Sequence, residues 1–209
     1  MKSRIQPIQK RTGFYGFISK IFCLNPVNMD SSLTEDRNRV FCIALRPFDN
    51  SDSMQNKFLV TIYRKLTGSA LFDCRRFGNH WEDVGFQGTD PATDLRGVGL
   101  LGLLQLLFLI LSTETSILCK EIYRLSTDKR QHFPFAVMST NVTQISLQVL
   151  REGLLNKECN EAKTVLKVFN WFYSGVFYRL YKIWRENDKT IVDSGYVLRG
   201  IPFILVMKI

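Results

Sequence analysis

The sequence predicts an all-α protein built around one compact multi-helix domain, and three observations carry that expectation. Leu166, Phe169, Phe172, Tyr173, Val176, Phe177, Leu180 and Trp184 recur at three- and four-residue steps, the period of one helix face. Residues 98–111 are apolar except for Gln105, a run too long for an ordinary strand. No stretch shows a convincing two-residue alternation, and no segment repeats. With 209 residues, 16 Phe, 7 Tyr and 3 Trp, the chain has material for one sizeable packed interior.

Read in order, residues 1–29 carry Lys2, Arg4, Lys10, Arg11 and Lys20 and no acid, so five of the nine net positive charges sit there. Within them, residues 13–24 place Phe14, Phe17, Ile18, Ile21 and Phe22 at helical spacing. Two readings stand: a helix capping the domain, or a basic amphipathic anchor in peripheral contact with an anionic membrane. Lys20 interrupts the run and no small-residue cleavage site follows, which argues against a signal peptide. Residues 25–37, rich in Pro, Asn and Ser, read as a linker. The expected division is thus a basic extension and linker over 1–36, a helical domain over 37–198 and an apolar tail over 199–209.

Inside the domain, residues 49–53 supply cap candidates for a helix over 54–66, and Gly68 stops it. Residues 69–96 hold the turns, with Gly78, Gly85, Gly88 and Pro91. A leucine helix is expected over about 97–111. Its 14-residue apolar run falls short of the roughly 20 residues that cross a bilayer, so it belongs in a core. Helices over 115–125 and 141–155 follow, with a break at Pro134, and the aromatic stripe closes the domain.

Composition also excludes chemistry. Five scattered cysteines, never in a C-x-x-C spacing, fit neither a disulfide framework nor a zinc site and point to a reducing, cytoplasmic setting. His80 and His132 are the whole stock of imidazoles, so no metal centre or catalytic triad is expected. Beyond residue 29 the remaining net charge is spread too thinly to argue for nucleic acid. The phosphate loop of a nucleotide-binding protein is missing from the sequence.

One stretch, GFQGTDPATDLRGVGLLGLLQ at 85–105, sets a single arginine at the mouth of the leucine run. Asp90 and Pro91 form a turn or helix start; Thr93 and Asp94 can meet the orphan N–H groups of the leucine helix. Gly97, Gly99 and Gly102 each cost a helix about 1 kcal/mol relative to Ala. Such positions suit close approach, by a neighbouring helix or by a partner protein. Arg96 is therefore either solvated or internally paired, or it is presented in trans as an arginine finger. A guanidinium stays charged and donates in a planar fork, which suits the charge that develops on a transferring phosphoryl group.

Trp81, Gly85, Phe86, Gln87, Asp90, Pro91, Thr93, Asp94, Arg96, Gly97, Gly99, Leu101, Leu103 and Leu106 together resemble the signature of the ELMO domain family, specifically the ELMO domain-containing (ELMOD) proteins. Leu95 stands where the general pattern has Phe, an apolar exchange that leaves Arg96 in register. The likeness covers roughly residues 40–198. It implies a GTPase-activating protein for Arf and Arf-like small GTPases, with Arg96 as the catalytic arginine and no turnover or cofactor of its own. Larger scaffold members of the superfamily lack the arginine, so a non-catalytic GTPase-binding or scaffold module is the alternative. Gln87 would orient Arg96 or touch the GTPase switch regions, or else be a buried amide bonding the loop backbone. Asp94 would cap or orient the loop; Trp81, Gly85, Phe86 and Pro91 would be structural.

Overall fold

The computed structural model describes residues 27–69 and 74–206, with side-chain surroundings to residue 200. The expectations for residues 13–24 and for the last three residues lie outside the described residues. Among those described, eight α-helices and no strand are found, so the all-α expectation holds. The helices are α1 (Thr34–Leu45), α2 (Ser53–Thr67), α3 (Gly99–Leu111), α4 (Ser116–Ser126), α5 (Phe135–Arg151), α6 (Asn156–Ala162), α7 (Val165–Glu186) and α8 (Ser194–Val206).

The leucine helix α3 is the hub and packs against α1, α2, α4, α5 and α7. Ten of its 13 residues are buried, so it has no polar face to keep. Gln105, the one polar side chain in the run, donates its Nε2–H to Asn170 Oδ1 on α7 at 2.5 Å. No single helix among the described residues is long and apolar enough to cross a membrane.

Local chemistry sets several boundaries. Asp52 accepts from the N–H groups of Met54 and Gln55 and starts α2, while Gly68, in a left-handed conformation, ends it. Helix α5 begins at Phe135, earlier than the expected 141, because Pro134 sits just ahead of its first turn, where a missing N–H is harmless. Helix α7 buries Phe169, Tyr173, Val176, Phe177, Leu180 and Trp184. Leu166 departs from the expected stripe at 49% exposure, because Val165 takes the inward place in the first turn.

Two apolar clusters replace the single core expected. One gathers Leu103, Leu106, Phe177 and Trp184; the other gathers Leu101, Leu150, Val165 and Phe169. Phe172, half-buried rather than fully buried, packs against both.

Helices α1, α6 and α8 were not read from the sequence. The supposed linker is also corrected from Val27 onward. Asn156 Nδ2 donates to the Val27 carbonyl at 2.9 Å and Asn160 Nδ2 to the Asn28 carbonyl at 2.9 Å. Asp30 N–H returns a bond to Asn160 Oδ1 at 2.8 Å, and Leu33 is buried in the second cluster. Pro, Asn and Ser mark where helix is interrupted, not where packing ends. At the other end α8 runs through position 198, so the start of the apolar tail continues a helix that packs on α7.

Candidate functional site

The turn-rich loop before α3 is built around Trp81, which is fully buried and donates its indole N–H to the Arg76 carbonyl at 3.0 Å. Tyr63 and Phe86 meet its ring edge-on. Gly85 has φ 80°, and a Cβ there would run into the Phe135 backbone nitrogen. Its carbonyl accepts the Val137 N–H at 3.0 Å, which ties the loop to the start of α5. Phe86 and Pro91 are buried beside these groups.

A clamp missed in the sequence fixes the next turn. Arg76 Nη2 pairs with Asp90 Oδ1 at 2.6 Å, and its Nε–H donates to Asn50 Oδ1 at 2.8 Å. The guanidinium lies over the Phe48 and Phe77 rings, 4.7 and 4.6 Å from their centroids. Asp90 also accepts the Ala92 N–H, and Thr93 Oγ1 donates to the Asp90 carbonyl.

Asp94 Oδ2 accepts the Gln87 N–H at 2.7 Å and so pins the two ends of this loop together. Burial raises its carboxyl pKa above the usual range; the bond from Gln87 opposes that shift and the nearby Asp90 charge adds to it. Thr93 and Asp94, expected to cap the leucine helix, do not: its N-cap is Val98, without a side-chain bond. Its orphan N–H at Leu100 finds the Arg46 carbonyl at the end of α1, at 2.8 Å. Gln87 is exposed and its side chain bonds neither Arg96 nor the loop among the described residues, so it is not a buried amide.

Arg96 does not lie on the helix, which begins only at Gly99. It occupies a turn whose flanking residues Leu95 and Val98, each 2% exposed, point into the protein. Gly99 N–H bonds the Leu95 carbonyl at 2.6 Å and closes that turn. Arg96 and Gly97 face outward, and the Arg96 side chain makes no hydrogen bond or ion pair among the described residues. The internally paired alternative is thereby removed.

Three glycines that look alike in sequence do different things. Gly99 adopts φ 54°, and a Cβ there would run into the Ala44 carbonyl oxygen and stand 2.5 Å from that of Arg46. A Cβ on Gly102 would meet Val98 Cγ2 at 2.5 Å, beneath the Arg96 turn. Gly97 opens on free space. The arrangement is an immobilised backbone presenting one unpaired guanidinium, suited to an anionic oxygen brought from outside.

The profile of the ELMO/CED-12 family matches residues 38–198. The chain belongs to the ELMO/CED-12 family. It is 48% identical over 200 residues to ELMO domain-containing protein 3 of Bos taurus, covering 96% of this chain and 52% of that protein. ELMO domain-containing protein 3 of Homo sapiens is 48% identical over 203 residues, 97% of this chain and 52% of the relative. ELMO domain-containing protein B of Dictyostelium discoideum is 30% identical over 181 residues, 85% of this chain and 60% of its own. This ELMO-family chain spans about half the length of the ELMO domain-containing protein 3 relatives. No solved structure matches it.

Proposed function

We propose that this ELMO-family chain is a GTPase-activating protein for an Arf or Arf-like small GTPase and supplies Arg96 as an arginine finger. The observation that carries the reading is the exposed, unpartnered Arg96 on a turn locked by buried Leu95 and Val98. The GTPase contributes its own nucleotide, metal and water-positioning groups. Arg96 adds its planar fork to the oxygens that gain charge as the γ-phosphoryl group leaves. Such a finger raises the rate by about 10³- to 10⁵-fold, or roughly 4 to 7 kcal/mol of transition-state stabilisation.

The test is single-turnover GTP hydrolysis by a panel of Arf-like GTPases with and without the chain. Arg96→Lys retains charge but loses the fork, so most of the stimulation should vanish while the fold persists. Binding should fall much less than turnover, because the contact forms mainly in the transition state. Full stimulation by Arg96→Lys would leave the chain as a GTPase-binding module without a catalytic arginine.

A further inference from the structure

Gly97, next to Arg96, opens onto a hollow of about 410 Å³ between α5 and α8. Asn141, Gln144, Gln148 and Arg151 line it from one face of α5, spaced by three and four residues, and Arg199 lines it from α8. Among the described residues, no carboxylate and no lysine lines this hollow. Arg151 is held in place: it donates to Gln148 Oε1 at 3.3 Å and lies over the Phe41 ring. Arg199 is exposed and has no ion pair among the described residues. Glu152 lies outside the lining and accepts from the Gln148 amide.

A second hollow, lined by Gln87 of the motif, has the opposite character. It measures about 550 Å³ and includes Glu82, Asp83 and Gln87, whose N–H is held by Asp94 two residues before Arg96. The Arg96 turn is thus joined to a basic, amide-lined hollow through Gly97 and to an acidic one through Gln87.

We propose that the α5–α8 hollow is a docking subsite for an acidic, extended segment of the GTPase whose nucleotide Arg96 enters. The inference rests on the finger reading of Arg96. Guanidinium groups take carboxylates in a two-point fork, and primary amides both donate to and accept from an extended backbone. The amide row favours a peptide over a lipid headgroup, which needs charge but no acceptor row. Glu82 and Asp83 in the second hollow repel the same segment, which leaves the basic hollow as its seat.

The test varies exposed groups only, in the full chain: Arg199→Glu and Gln144→Glu, with Lys120→Glu on α4 as a control that matches the charge change of Arg199→Glu. Single-turnover hydrolysis is titrated with each protein against the responsive GTPase. The groove variants should raise the half-saturating concentration about tenfold or more and leave the plateau rate within about twofold. Arg96→Lys should do the reverse, and the control should match wild type. Unchanged half-saturation in both groove variants would overturn the proposal even while stimulation by wild type upholds the finger. Should no GTPase respond to wild type, binding of each panel member loaded with a non-hydrolysable GTP analogue reads the groove separately. Wild-type binding lost in the variants supports the subsite; binding retained, or no binding by wild type, overturns it. Loss of binding to phosphatidylcholine–phosphatidylserine vesicles with half-saturation unchanged would assign the groove to a membrane instead.

Discussion

Gly99→Ala tests how the Arg96 turn is held. The backbone at Gly99 sits at φ 54°, where an L side chain costs about 1 to 2 kcal/mol. The added methyl also meets two carbonyl oxygens at the end of α1, those of Ala44 and Arg46. Relieving that clash moves α1 from α3 and loses the Leu100 N–H to Arg46 bond, worth about 1 kcal/mol. Together the loss is about 3 kcal/mol, a fall in Tm of roughly 6 to 12 °C for a domain of this size. Gly97→Ala, two residues away, enters free space and should change stability by less than about 1 kcal/mol. Helical circular dichroism during thermal and urea unfolding measures both. Equal losses in the two variants, or none in Gly99→Ala, would refute the account of the α1–α3 junction.

Arg76→Ala should cost about 2 to 3 kcal/mol in urea unfolding, less than a fully buried pair, because Asp90 is about one-third exposed. For Asp94 the folded carboxyl pKa is raised, so its protonated form stabilises the fold at low pH. That contribution is lost as pH climbs from the unfolded value through the folded one. Asp94→Asn keeps an acceptor for the Gln87 N–H without the charge, so its stability relative to wild type should improve between pH 4 and neutrality; a constant difference would contradict this. Replacing Asn160 by Ala should cost about 2 kcal/mol in urea unfolding through the lost bonds to Asn28 and Asp30. Cys119 and Cys159, buried and with thiols pushed up to about 12 and about 11, should resist alkylation in the native protein, as mass spectrometry after iodoacetamide treatment would show.

Helices with a chemical start and stop were legible in the sequence. Asp52 and Gly68 bracket α2, and the aromatic period of α7 survives apart from its first turn. Helix α6 escaped notice because its seven residues, NKECNEA, bury only Asn156 and Cys159. Helix α1 escaped because charge dominates its first half and Val40 and Phe41 are its only buried residues. The position and exposure of Arg96 were legible from the motif, but the turn that holds it ahead of the helix was not. A sequence shows three glycines at 97, 99 and 102 and cannot show that one meets carbonyls, one meets Val98 and one meets nothing. The Arg76–Asp90 clamp spans 14 residues of irregular loop, where no periodicity links the partners.

Because Leu95 and Val98 anchor the Arg96 turn from both sides, the backbone arrives at any encounter already arranged. Ordering a floppy five-residue loop would cost about 5 to 10 kcal/mol, whereas quenching the rotamers of one arginine costs about 2. An encounter at Arg96 therefore needs little contact area to offset the ordering it demands. A small contact at Arg96 can thus form and separate quickly.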